Sequence, residues 1–162
     1  MLNHINLNKV FVIDIETVPQ YSYFEDMPLP LQELWEQKTS LQRKEEQTPA
    51  EFYERAGIQA EFGKIICISI GFFHQVEGLQ HFRVSSFYGD NEVEILKNFV
   101  ALLKKQPKDD IDGSMVKKVY YEDNDLKRIV KYCQKDVITT AQILLKFKGL
   151  PSISSENITL VD

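Results

Sequence analysis

This sequence has few cysteines, no long apolar run and no surplus of basic charge, and each absence closes off a class of protein. Its two cysteines, Cys67 and Cys133, lie far apart inside apolar segments. They form neither a C-x-x-C pair nor the disulfide framework of a small secreted domain, so both read as buried thiols. No segment is apolar for long enough to span a bilayer, and the polar residues 1–9 lead straight into a strand without a signal-peptide core. A cytoplasmic protein with no membrane partner is expected. The net charge of −5 argues against a broad basic surface that grips nucleic acid by neutralising many phosphates. It leaves room for a protein that handles only a strand end, where bound divalent cations supply the positive charge. The histidines His4, His74 and His81 are scattered singly, which disfavours both a Cys/His zinc site and a Ser-His-Asp hydrolase. Internal repeats and low-complexity segments are absent as well.

What is present is enough apolar material for one sizeable core: 162 residues, 43% of them hydrophobic, predict a single domain over 1–162. Residues 10–17 form a β-rich apolar run interrupted by Asp14 and Glu16, which predicts a strand buried on both faces and central in its sheet. Residues 19–47 are irregular, with a short amphipathic piece around Leu31, Leu34 and Trp35. Thr48-Pro49-Ala50-Glu51 then combines an N-cap, a proline at the first helical position and a glutamate three residues after the cap, which starts a helix ending near Gly57. Residues 64–73 and 79–88 read as a hairpin joined through Gln75-Val76-Glu77-Gly78. Asp90 is expected to cap a helix with Glu92 and Glu94 in its first turn. That helix has Val93, Leu96, Val100 and Leu103 as apolar positions, and Lys104 and Lys105 at its end.

After a turn-rich polar loop containing Asp109-Asp110-Ile111-Asp112-Gly113, a long helix runs from about Leu126 to Phe147. Asp123, Asn124 or Asp125 caps it and Lys148-Gly149-Leu150-Pro151 stops it. Its stripe is Leu126, Val130, Cys133, Val137, Ala141 and Leu144, with Tyr132 and Asp136 one turn apart on its flank. At about 100° per residue, Asp136 lies roughly 80° from the centre of that stripe, where a packed helix meets a cleft. The order of strand, helical insertion, hairpin, helix, loop and long helix fits an α/β or α+β sheet covered by helices.

The chemistry is concentrated in the first strand. Residues two apart on a strand share a face, so Asp14 and Glu16 set two carboxylates side by side on an apolar element. Two such charges push each other toward protonation unless a hard divalent cation takes up their oxygens. Acid-x-acid spacing alone is weak evidence in a chain with 24 acidic residues. Glu92-Val93-Glu94, Asp110-Ile111-Asp112 and Asp123-Asn124-Asp125 also carry it, but at helix caps and loops where backbone N–H groups and water explain the charge. Only Asp14 and Glu16 interrupt a buried strand. Tyr132 and Asp136 taken alone read as a helix-surface pair with a partly buried phenol.

Taken together, Asp14-Ile15-Glu16-Thr17 and Tyr132-Cys133-Gln134-Lys135-Asp136 resemble the first and last motifs of the 3′→5′ exonucleases with a four-carboxylate DEDD pattern, in the branch ending in Tyr-x-x-x-Asp. The similarity is closer still to predicted exonucleases related to the exonuclease domain of family B DNA polymerases. Ala56-Gly57-Ile58-Gln59-Ala60-Glu61-Phe62-Gly63-Lys64-Ile65, Lys108-Asp109-Asp110-Ile111-Asp112-Gly113-Ser114 and Phe147-Lys148-Gly149-Leu150 look typical of that subgroup. The resemblance covers nearly the whole chain. It implies a ribonuclease H-like mixed sheet covered by helices and removal of nucleoside 5′-monophosphates from the 3′ end of single-stranded or frayed DNA, or of RNA. It also implies two Mg²⁺ or Mn²⁺ ions held by Asp14, Glu16 and Asp136, with Asp14 between the two ions and the Tyr132 hydroxyl holding the attacking water. Phe62, Tyr120 and Tyr121 are candidate stacking platforms for a splayed base.

The sequence departs from that family at one place. A middle motif, an Asn followed by Phe-Asp or Tyr-Asp, provides a further metal-binding aspartate, and this chain contains no Phe-Asp or Tyr-Asp pair. Where the family continues into a strand and helices, this chain passes directly to Pro107, so a middle strand-helix segment is missing at 106–107. The gap is a natural deletion, an engineered one, or a segment omitted between two joined pieces. Its loss leaves one metal ligand unaccounted for and predicts exposed apolar surface around residues 10–15. Asp109, Asp110 and Asp112 follow the join but suit a capping turn better than a ligand set. A non-catalytic ribonuclease H-like module that binds strand ends or a partner protein is the alternative to an exonuclease.

Overall fold

The computed structural model describes residues 2, 4–103, 120–121 and 124–161. The expected join at 106–107, the basic helix end at Lys104 and Lys105, the loop at 109–113 and Asp123 as a cap lie outside the described residues. Contacts divide the chain into two compact units, one of Met1–Glu16 with Ile65–Asp162, the other of Thr17–Lys64.

The fold is α/β, a mixed four-stranded sheet with four α-helices among the described residues, consistent with a ribonuclease H-like fold. The strands are β1 (Phe11–Pro19), β2 (Gly63–Val76), β3 (Leu79–Tyr88) and β4 (Ile158–Val161), in the order β1-β2-β3-β4. The helices are α1 (Leu29–Thr39), α2 (Pro49–Phe52), α3 (Glu92–Leu103) and α4 (Leu126–Phe147). β2 and β3 form the expected antiparallel hairpin, in register from Cys67 opposite Tyr88 to Val76 opposite Leu79. Glu77 and Gly78 turn it with φ of 51° and 83°, the left-handed pair that matches the twist of the strands. β4, which has no counterpart in the sequence-based reading, pairs parallel to β3 with Phe82 opposite Ile158.

The strand buried on both faces is β2, not β1. Residues 66–71 of β2 are all buried. β1 stands at an edge of the described sheet and alternates, with Val12 and Glu16 buried while Phe11, Ile13 and Ile15 are 41%, 46% and 47% exposed. An apolar sequence run therefore signalled a strand correctly but did not report which of its faces is covered.

α4 covers one face of the sheet. Val137, Ala141 and Leu145 form a core with Leu7, Val12, Phe73, Phe82, Val84 and Ile153. Each such aliphatic side chain taken out of water contributes about 1.5–3 kcal/mol. The close approach depends on Gly71, because a Cβ there would lie 2.3 Å from the Phe82 ring and 2.7 Å from Val137 Cγ1. The helix is delimited as its sequence predicts. The carboxylate of Asp125 accepts from the Arg128 N–H at 3.0 Å. At the other end Gly149, φ 69°, turns the chain left-handed, while the Leu150 N–H reaches the Leu145 carbonyl and the Gly149 N–H that of Lys146, both at 3.0 Å. Beyond that stop, the Gln142 amide clamps Ile153 with two hydrogen bonds of 2.9 and 3.0 Å, which leads the chain into β4.

α3 lies on the opposite face. Phe87, opposite Ile68 in register, meets Phe99 edge-to-face with ring centroids 6.2 Å apart. Ile95 is buried, whereas Val93, Leu96 and Val100 are exposed, so the expected stripe faces water. Asn91 rather than Asp90 caps this helix, its side-chain oxygen accepting from the Glu94 N–H at 3.3 Å. Glu92 bonds outward instead, accepting from the Ile65 N–H at 2.8 Å.

The smaller unit has its own core of Met27, Trp35, Phe52, Tyr53, Ala56 and Phe62. Thr48 and Glu51 form the predicted reciprocal cap, and the indole N–H of Trp35 donates to the Pro49 carbonyl at 2.9 Å. The helix started there passes into a 3₁₀ turn, Tyr53–Ile58, ending one residue beyond Gly57.

Candidate functional site

β1 carries Asp14 and Glu16 on the same face as Val12, the face packed against α4. Asp14 is half-buried and Glu16 only 6% exposed. Burial pushes the Asp14 carboxyl above the ordinary carboxylate range, and the charge of Asp136 raises it further, against a lowering hydrogen bond from Cys133. Burial, then the neighbouring Asp14, pushes Glu16 up to about 9, with smaller contributions from Cys67 and Asp136. Without a cation, Glu16 is therefore held neutral at pH 7. One oxygen of Asp14, Oδ2, is buried without a hydrogen-bond partner. An unpaired buried carboxylate oxygen is costly, and a divalent cation would satisfy it and relieve the repulsion between the two acids. The donor chemistry of the strand thus fits a hard cation.

α4 contributes the opposing wall. Tyr132 and Asp136, one turn apart, are both half-buried on it. Asp136 is near enough for its charge to act on both strand carboxylates. Between them in sequence sits Cys133, fully buried, and its sulfur with one oxygen each from Asp14 and Glu16 forms a group whose atoms all lie within 4.8 Å of one another, an arrangement able to hold a metal ion. Both cysteines are buried thiols, as expected, and the fold brings them beside the carboxylates, a proximity that their sequence positions do not show. The Cys67 thiol approaches Cys133 Sγ at 3.5 Å, and Ser69 Oγ lies 3.6 Å from Cys67 Sγ. Burial pushes the Cys133 thiol far up, so in the cation-free state it is a neutral donor to Asp14. The available signal was spacing: Cys133 stands three residues before Asp136 on the buried stripe, and residues three apart on a helix are neighbours.

The candidate stacking aromatics separate. Phe62 is 1% exposed and packs edge-to-face on Trp35 at 5.0 Å, which removes it as a platform for a base. Tyr120 and Tyr121 are half-buried, with ring centroids 4.9 Å apart, and the Tyr120 hydroxyl donates to Asp90. With Asp90, Asn124 and Leu126 they line a cavity of about 240 Å³. The histidines are not all isolated: the hairpin brings His74 opposite His81 with ring centroids 5.5 Å apart, and burial lowers the His74 pKa.

No described helix is long and apolar enough to cross a membrane. No curated protein and no solved structure matches the chain. Residues 73–157 match the family described as predicted 3′–5′ exonucleases related to the exonuclease domain of PolB, a span that includes Tyr132 and Asp136 and leaves Asp14 and Glu16 outside it. That match covers just over half of the sequence and supports a nuclease-like function on nucleic acid; the chain belongs to this family.

Proposed function

We propose that this chain is the catalytic domain of a metal-dependent 3′–5′ exonuclease that releases nucleoside 5′-monophosphates from the 3′ end of single-stranded or frayed DNA. The observation that carries this reading is the buried carboxylate pair Asp14 and Glu16, with its orphaned oxygen, set against the helix that bears Tyr132 and Asp136. Asp14, Glu16 and Asp136 would hold two divalent cations, Mg²⁺ or Mn²⁺, which would supply a more acidic water and neutralise phosphate charge. The Tyr132 hydroxyl holds the attacking water by a hydrogen bond in line with the terminal phosphorus. The water oxygen gives up a proton to solvent as it bonds to phosphorus, the bond from phosphorus to the 3′ oxygen breaks, and that oxygen leaves with a proton from solvent.

The fourth carboxylate of the pattern was carried, in this reading, by the segment missing at 106–107. The test is Mn²⁺-dependent shortening of 3′-overhang DNA and of RNA by the 162-residue chain and by a gene-derived longer version, with Asp14→Ala as control. Activity unaffected by Asp14→Ala would overturn the assignment. Activity only in the longer version would assign the missing ligand to the absent segment. One observation favours the alternative of a non-catalytic module: the uncovered apolar surface of Phe11, Ile13 and Ile15, which suits association better than catalysis.

A further inference from the structure

We propose that Cys67 and Cys133, together with Asp14 and Glu16, form a second kind of metal site, one for a thiophilic cation such as Zn²⁺, that shares its oxygens with the carboxylate pair. Asp14, Glu16 and Cys133 offer three donor atoms within 4.8 Å of one another, and Cys67 stands outside that group with its sulfur 3.5 Å from that of Cys133, as the fourth donor. Two Zn–S bonds of about 2.3 Å at a tetrahedral angle place sulfurs about 3.8 Å apart, so the thiols are already spaced for one ion. Both cysteines are fully buried, Glu16 nearly so and Asp14 half-buried, so three of the four donors have the closed surroundings of a structural site. The donors come from three elements packed on one another, β1, β2 and α4, so a bound ion would tie the edge strand to the helix.

Hard cations have little use for the two sulfurs, whereas a borderline-soft cation gains two strong bonds from them. On binding, each thiol gives its proton to solvent as its sulfur bonds to the ion, and any proton on Glu16 leaves in the same way. No electron moves. Zn²⁺ drawn toward the two sulfurs takes up oxygens of Asp14 and Glu16 that the hard cations also need, so Zn²⁺ competes with them. That competition rests on the proposed nuclease reading; the zinc site itself does not.

Co²⁺ is the probe, since bound thiolate gives a sulfur-to-cobalt charge-transfer band that carboxylates do not. The full chain, prepared metal-free in reductant, is expected to bind one equivalent of Co²⁺ with that band, and one equivalent of Zn²⁺ is expected to bleach it. Cys67→Ser should reduce the band to about half, with one thiolate left, and the double variant Cys67→Ser/Cys133→Ser should abolish it. Binding of Co²⁺ by the unsubstituted chain without the band, or no binding at all, overturns the site whether or not the variants fold. A band that survives in the folded double variant overturns it too.

In a parallel arm, Zn²⁺ is titrated into the Mn²⁺-dependent nuclease assay, each protein referred to its own zinc-free rate. Inhibition that weakens at least tenfold in Cys67→Ser supports the competition. Equal inhibition of both proteins overturns it. The cobalt band with no nuclease activity in either the 162-residue chain or the longer version sinks the nuclease reading and leaves the zinc site standing; activity without the band does the reverse.

Discussion

The two faces of β1 are built from neighbouring residues and have opposite fates. Val12 and Glu16 lie under α4, with Asp14 half-covered between them, while Phe11, Ile13 and Ile15 point to the other side and remain close to half exposed. The uncovered face is the more apolar of the two. A strand that hides its acids and shows its isoleucines inverts the usual economy of folding, in which charge stays in water unless it is paired or bound to metal. The difference is informative in both directions: buried acids imply a ligand on one side, and bare apolar surface implies missing cover on the other. The exposed Val93, Leu96 and Val100 of α3, the helix on that second side, extend the same argument.

The largest effect is expected on the acidic face. Asp14→Ala should lower Mn²⁺-dependent 3′–5′ hydrolysis on the order of 10³-fold, as removal of one preorganised charge-stabilising group does elsewhere. Steady-state rates on a 3′-labelled single strand measure it. Retention of the wild-type rate would leave the two faces differing only in polarity.

Next comes the packing that holds α4 over that face. Gly71→Ala forces a methyl into the Phe82 ring and Val137, so it should destabilise the chain by about 2–3 kcal/mol or more, read from urea unfolding. Because Val137 adjoins Asp136 on α4, the same variant should lose activity beyond what its stability explains.

A pair of substitutions compares the faces directly. Val12→Ala removes two buried methyl groups and should cost about 1.5–3 kcal/mol. Ile13→Ser, one residue away, should cost about 1 kcal/mol or less and reduce concentration-dependent self-association seen by light scattering. Equal costs would show that the second face is covered in solution.

Much of this was legible in the sequence because local rules and tertiary packing agree there. The Thr48–Glu51 cap, the Glu77-Gly78 turn and both ends of α4 follow from side-chain chemistry within a few residues. Asp14 and Glu16 stood out because period-two alternation places them on one face of an apolar strand. Other features depend on what packs where. In α3, Val93, Ile95, Leu96, Phe99 and Val100 spread apolar character around most of the helix, so periodicity does not say that Ile95 is the buried one. The run of β1, apolar on both faces, predicts a central strand, but an edge strand shares that property when cover is lacking. Cys133 reads as core from its place on the stripe, and it is core, but only the crossing of α4 over β1 and β2 brings it to Asp14, Glu16 and Cys67. β4 is four residues long and too short for a pattern.

Acidity sharpens the comparison further. Glu16 has a folded pKa of about 9 against an ordinary 4.5, so the folded chain binds more protons than the unfolded one across that window. Stability of the metal-free protein should therefore be full below about pH 4.5 as far as this group is concerned, and fall as pH rises toward 9. Asp14, also raised, acts in the same direction. In the proposed reading Mn²⁺ binds the deprotonated acids, so it should raise Tm more at pH 8.5 than at pH 5.5. Thermal melts in chelator and in Mn²⁺ at the two pH values give the answer. A chelated protein whose melting point climbs between them would contradict the buried neutral acid.

The smallest effect lies on the uncovered side, where α3 begins. Asp90 and Asn91 both have the chemistry to cap it, and the structure gives the task to Asn91, whose side chain reaches the Glu94 N–H at 3.3 Å, while Asp90 accepts from the Tyr120 hydroxyl. Asn91→Ala should then cost about 1 kcal/mol, the typical worth of a cap. Asp90→Ala should leave the helix intact and lose only an exposed hydrogen bond, within about 0.5 kcal/mol. Because α3 has little apolar cover beyond Ile95 and Phe99, its first turn depends on that cap more than a fully packed helix would. Hydrogen exchange at the Glu94 and Ile95 amides is the local readout, and equal protection loss in both variants would mean that the two residues share the cap.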